Sequence, residues 1–125
     1  MAVSTGTQVR GGTAVIQSLL AHGVDTVFGI PGVHNLDIYD ALVDAPEITN
    51  ILARHEQGVG FMADGYARAT GKPGVALIVT GPGVTNVATA VGEAFADSTN
   101  MLVIATNLER QYLDSLAGNL HEMTD

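Results

Sequence analysis

Cysteine and tryptophan are both missing from this 125-residue chain. Without cysteine there is no disulfide framework, no thiolate nucleophile and no thiolate-bound metal. Basic residues are scarce: five Lys and Arg stand against thirteen Asp and Glu, for a net charge of −8. So few cations make no phosphate-neutralising stripe, which argues against nucleic acid or an anionic membrane surface as partner. No apolar run approaches the roughly 18 residues of a membrane span. The start, Met-Ala-Val-Ser-Thr-Gly-Thr-Gln, lacks the basic-then-apolar layout of a secretion signal. What is present is 46% hydrophobic residues and 15 glycines. That composition builds one core-forming domain, expected to be soluble and cytoplasmic.

Residues 1–10 are small and polar and read as a flexible N-terminus, with one domain over 11–125. Val15, Ile16, Leu19 and Leu20 form a helical stripe between a Thr13 cap and a Gly23 stop. Val24 to Ile30 reads as a strand broken by Pro31-Gly32, and Asn35 caps a helix whose inner face is Leu36, Tyr39, Leu42 and Val43. Ile48 to Ala53 is a second strand, and Glu56 to Thr70 a helix ended by Gly71 and Pro73. Val75 to Val79 is apolar throughout, the mark of a strand buried on both faces. After Gly81-Pro82-Gly83 a helix carries Val84, Val87, Ala88, Val91, Ala94 and Phe95 on or near its buried face, and Met101 to Ala105 forms a fourth strand. One short helix is expected over Leu108 to Leu116. This alternation predicts an α/β fold with a doubly wound, mainly parallel sheet flanked by helices. Four strands are few for such a sheet, so the domain reads as incomplete at its C-terminus, with an apolar edge or face left open.

In open α/β sheets ligands collect at the carboxyl ends of the strands. Gly29-Ile30-Pro31-Gly32, Arg54-His55-Glu56-Gln57, Gly81-Pro82-Gly83-Val84-Thr85-Asn86 and Thr106-Asn107 all fall there. Read alone, the Gly81 stretch is a tight turn or a phosphate cradle. Asn86 replaces the third glycine of a dinucleotide fingerprint, and Pro82 removes a backbone donor. Glu56 opens a helix, where the dipole favours a carboxylate. It is either an N-terminal charge partner, with Arg54 beside it, or a functional carboxylate in an apolar site. His55 without an identified partner reads as a packed or hydrogen-bonded residue. His22 and His34 read as surface or capping residues, and Glu93 and Asp97 as a solvated helix face.

The order and spacing of the motifs carry more than any one of them. Phe28-Gly29-Ile30-Pro31-Gly32, Arg54-His55-Glu56-Gln57, Ala63-Asp64-Gly65-Tyr66-Ala67-Arg68, Gly71-Lys72-Pro73-Gly74 and Gly81-Pro82-Gly83-Val84-Thr85-Asn86 follow one another. Together they closely resemble the N-terminal, pyrimidine-binding domain of the thiamin-diphosphate-dependent, acetolactate-synthase-like enzymes, from about Gly11 to Asp125. The resemblance implies that Glu56 hydrogen-bonds N1′ of the cofactor's aminopyrimidine and so activates the cofactor toward a 2-oxo acid. It implies that Pro31, Gly32, Gly81, Pro82, Gly83 and Asn86 shape the pocket around the pyrimidine. His121 falls where many relatives carry a Gln near the substrate, a departure that bears on substrate choice. Leu120-His121-Glu122 and Asn35-Leu-Asp-Ile-Tyr39 look more like decarboxylases of guanidino-type 2-oxo acids than like acetolactate synthase.

The family's Gly-Asp-Gly motif for the diphosphate and Mg²⁺ does not occur in these residues. The resemblance therefore implies a diphosphate-binding domain elsewhere in a longer chain or on a partner subunit, in a homodimer or homotetramer. FAD is not indicated, and any flavin site would lie outside these residues. The alternative is a catalytically silent pyrimidine-domain relic that only associates with partners. Retention of Glu56 beside intact glycine turns favours the enzyme.

Overall fold

The computed structural model describes residues 8–113 and 115–123. The chain runs α1 (Gly11–Ala21), β1 (Thr26–Gly29), a 3-10 turn (Val33–Asn35), α2 (Leu36–Val43), β2 (Thr49–Leu52), α3 (Glu56–Thr70), β3 (Gly74–Ile78), α4 (Pro82–Ala96) and β4 (Met101–Ala105). All strand pairs are parallel, in the order β2-β1-β3-β4. Most of residues 1–10, the expected flexible start, lie outside the described residues, and Gln8 to Arg10 are exposed.

Side chains of the central strands alternate between two cores, as the strand period of two requires. Val27, Val75 and Leu77 pack with Ile16 and Leu19 of α1 and Ile38 of α2. Phe28, Ala76 and Ile78 pack on the other face with Val59 and Ala63 of α3 and Val87 of α4. Every residue of β3 is buried, as its unbroken apolar run predicts. The chain leaves β1 toward α2 on one face and leaves β3 toward α4 on the other. Their carboxyl-end loops diverge between β1 and β3, which opens a crevice at this switch point.

Several helix details differ from expectation. α1 starts at Gly11 after Arg10, so Thr13 lies inside the helix rather than capping it. In α2 the buried residue is Ile38, while Leu36 is 54% and Val43 80% exposed. Tyr39 and Leu42 pack against this core as expected, so the buried stripe centres on Ile38 rather than running to Leu36 and Val43. In α4 the buried residues are Gly83, Val87, Ala90 and Ala94. Val84, Val91 and Phe95, the last 87% exposed, overhang β4, an edge strand in the described sheet. With Ala88, Val103 and Ala105 they line an open apolar hollow of about 510 Å³. Among the described residues of 108–116 there is one 3-10 turn, Arg110–Tyr112, in place of the expected helix. Asp97 is not simply solvated: Arg68 of α3 joins it at 2.8 Å and Asp64 at 2.8 Å, tying α3 to α4.

Asp25, just before β1, accepts from Tyr66, Lys72 and Thr26. The Lys72 ammonium, then the two hydroxyls, hold its carboxyl far below the usual carboxylate range. A depressed folded-state value contributes stability that is present above the unfolded value, about 3.9, and is lost as pH falls through and below it. The urea midpoint is therefore expected to fall from about pH 5 downward, and Asp25→Asn to flatten part of that fall. Asp64, lowered by Arg68, acts with the same sign. Identical acid limbs in both proteins would overturn the assignment.

Tyr39 supplies a second test. Its hydroxyl is shielded from solvent without a hydrogen-bond partner among the described residues. Burial pushes the phenol up to about 12. An unsatisfied buried hydroxyl costs stability, so Tyr39→Phe is expected to raise the unfolding free energy by about 1 kcal/mol. A lower urea midpoint would show that the hydroxyl is bonded after all.

Candidate functional site

The crevice between β1 and β3 is built from three loops. After β1, the fully buried Asn35 reaches back rather than capping α2. Its Oδ1 accepts from Gly32 N at 2.8 Å and its Nδ2 donates to Ile30 O at 3.1 Å. One side chain thus clasps both sides of Pro31 and fixes the loop. The sequence reading missed this role, because an Asn before a helix is ordinarily its cap. Gly32 lies against β3's continuation: a Cβ there would meet Val79 Cγ1 at 2.7 Å.

After β2, His55 is extended and caps α3, its Nδ1 accepting from Gln57 N at 3.1 Å. The ring is thereby committed to the helix start, in line with a hydrogen-bonded rather than a catalytic His55. Glu56 follows in the first turn, half-buried. Its partner is not Arg54 but Asn86, whose Nδ2 donates to Glu56 Oε2 at 2.9 Å across the crevice. Among the described residues no other hydrogen bond reaches the Glu56 carboxylate.

After β3, Gly81 takes φ 64° and ψ −119°, a region open to glycine and strained for other residues. The N–H groups of Val84 and Thr85 donate to Gly81 O, and that of Gly83 to Thr80 O. Pro82, with no N–H, stands at the first position of α4. The first turn's donors are thus used internally, which resolves the two readings of this glycine stretch in favour of a tight turn. A Cβ at Gly83 would lie 3.2 Å from Val79 Cγ2 and 3.9 Å from Glu56 Cγ. Asn86, three residues on, shares that helix face. The Gly81-x-Gly83-x-x-Asn86 spacing keeps the space beside Glu56 empty and then supplies a donor to it.

His121 arrives from the far end of the chain. A Cβ at Gly81 would meet His121 O at 2.6 Å. The His121 ring lies 5.8 Å from that of His34, centroid to centroid. His34 is therefore half-buried against His121 rather than a plain surface residue. His22, by contrast, is exposed and bonds Ser18 O at the end of α1.

The family model for the thiamine pyrophosphate enzyme N-terminal TPP binding domain matches residues 9–125. The chain belongs to this family. A probable 2-ketoarginine decarboxylase of Pseudomonas aeruginosa is 56% identical over 117 residues, 94% of this chain and 21% of the relative. The mitochondrial acetolactate synthase catalytic subunit of Saccharomyces cerevisiae is 50% identical over 95 residues, 76% of this chain and 14% of the relative. An acetolactate synthase of Arthrospira platensis is 48% identical over 109 residues, 85% and 19%. The chain thus spans about a fifth or less of the length of these relatives. The expected fold and family both hold for this TPP-binding domain, and a TPP cofactor can be tested against its crevice. Glu56 has one oxygen held by Asn86 and the other without a bond among the described residues. The floor beside it is kept free of side chains at Gly83, where a Cβ would crowd Val79. A polar, flat heterocycle with a nitrogen turned to Glu56 suits both features. The crevice residues fit the pyrimidine end of the cofactor.

Proposed function

We propose that this chain forms the pyrimidine-binding part of a thiamin-diphosphate-dependent enzyme that decarboxylates a 2-oxo acid and is able to ligate the product. The observation that carries this reading is the Glu56–Asn86 pair at the switch-point crevice. The cofactor, when bound, supplies the electron sink that lets CO₂ leave a 2-oxo acid. Glu56 holds and moves a proton at the pyrimidine N1′, the task for which a positioned carboxyl serves as general acid and base. Asn86 orients Glu56 through its Oε2. Pro31, Gly32, Gly81, Pro82 and Gly83 shape the pocket, the glycines by presenting no bulk and the prolines by stiffening the turns. His121 faces the substrate side of the Gly81 turn.

The diphosphate and its Mg²⁺ would be held by residues outside this chain. The first α4 donors are already used, and the net charge of −8 disfavours a bound polyanion. A diphosphate-binding domain, in a longer chain or on the partner of a homodimer or homotetramer, completes the site. Identity of 56% to the probable 2-ketoarginine decarboxylase, against 50% to the yeast acetolactate synthase, supports a guanidino-type 2-oxo acid as substrate. The test is CO₂ release from 2-ketoarginine and from pyruvate by the full-length protein, with and without thiamin diphosphate. Cofactor-dependent release, faster from 2-ketoarginine, is expected. No release from any 2-oxo acid would leave the silent association module as the better reading.

A further inference from the structure

Residues 115–122 form a loop closed by a single carboxylate. Glu122 Oε1 accepts from Leu116 N at 2.7 Å and Ser115 Oγ at 3.1 Å. Its Oε2 accepts from Asn119 N at 3.0 Å and Asn119 Nδ2 at 3.2 Å. Burial alone would push this carboxyl up, yet the backbone donors of Asn119 and Leu116 and the two side chains hold it below its ordinary value. The loop also contains two non-glycine residues with left-handed backbones, Leu116 at φ 53° and His121 at φ 63°. Such conformations are costly and persist only where surrounding structure over-determines them. The four bonds to Glu122 are that structure. Their product is the placement of His121, with its carbonyl on Gly81 and its ring beside His34. Its Nδ1 is shielded from solvent and has no partner among the described residues. Gly83 at the other end of the same turn packs toward Glu56, so the placed imidazole and the carboxyl flank one turn.

We propose that Glu122 is a positioning residue: it locks the 115–122 loop so that His121 can hydrogen-bond the bound 2-oxo acid. This rests on the enzyme reading above. The alternative is a loop staple that serves stability alone, and the two differ in what they do to substrate binding. Glu122→Ala, His121→Ala and the double variant are compared in the full-length holoenzyme. Three quantities are read: KM and kcat for the 2-oxo acid, Kd for the matching unreactive 2-hydroxy acid, and Kd for thiamin diphosphate.

Loss of one hydrogen bond corresponds to about a tenfold weakening. Each single variant is therefore expected to raise KM and the hydroxy-acid Kd by about tenfold, with cofactor affinity within about twofold. If Glu122 acts through His121, the double variant is no worse than His121→Ala. Penalties that multiply in the double variant, or an unchanged hydroxy-acid Kd in Glu122→Ala, would overturn the proposal. Should Glu122→Ala not fold, Glu122→Gln keeps the acceptor geometry on one side and is read by the same cycle. Glu56→Gln separates the two levels. Full turnover in that variant sinks the proton-handling role of Glu56 on which the enzyme reading was built, whereas lost turnover there with multiplying Glu122 and His121 penalties in the parent background sinks the positioning role only.

Discussion

Replacing Glu56 with glutamine in the full-length enzyme is expected to reduce cofactor-dependent turnover by about 10²–10⁴-fold, the range for a positioned general acid or base. Glutamine has the same shape, and its carbonyl oxygen still accepts from Asn86 Nδ2, the contact that spans the crevice at 2.9 Å. What is lost is the ability to hold and give up a proton. The structural cost is small, because Glu56 is half-buried in the first turn of α3. Removing its charge forfeits only about 0.3–1 kcal/mol of helix-dipole interaction. Circular dichroism and the thermal midpoint should therefore change little while CO₂ release and proton exchange at the cofactor's reactive carbon collapse together. Turnover equal to the parent protein would rule out a proton-handling role for Glu56.

Gly81→Ala is expected to destabilise the domain by roughly 2–6 kcal/mol. About 1–3 kcal/mol comes from placing a side chain in a glycine-favouring backbone region, and about 1–3 kcal/mol from overpacking. The backbone angles of 64° and −119° supply the first part. The second follows from the new Cβ, 2.6 Å from His121 O and 2.9 Å from His121 Cβ. Neither neighbour is the far end of a flexible chain, so the 115–122 loop must move. The variant should combine a lower urea midpoint with weaker 2-oxo acid binding. A variant as stable as the parent would mean that the loop does not rest on Gly81.

Where local stereochemistry decides, the chain was legible. α3 runs from Glu56 to Thr70 as expected, because Gly71 takes φ 72° at its end and Pro73 cannot continue a helix. β3 was legible because a short unbroken apolar run bounded by glycine and proline turns suits a strand buried on both faces. β4 was found at Met101–Ala105 for a similar reason, although it lies at the edge of the described sheet and its side chains are only partly buried. That same fact defeated the reading of α4. Periodicity finds an apolar stripe but not how far the surface beneath it extends, so Val84, Val91 and Phe95, placed on or near the buried face, stand exposed beside β4. Asn35 misled for a different reason. Its side chain had two sets of backbone groups within reach, and it satisfied the loop around Pro31 rather than α2.

By itself the sequence determined the α/β alternation, the element limits set by glycine and proline, the family, and Glu56 as the carboxylate to watch. Only the tertiary structure decided what Glu56 meets. Asn86 lies thirty residues away, and His121 reaches the Gly81 turn and His34 from the far end of the chain. Propensity and capping act over one turn of backbone. Glu56 and Asn86 meet because α3 and α4, which follow β2 and β3, pack side by side on one face of the sheet, and that packing exists only once the strands have paired.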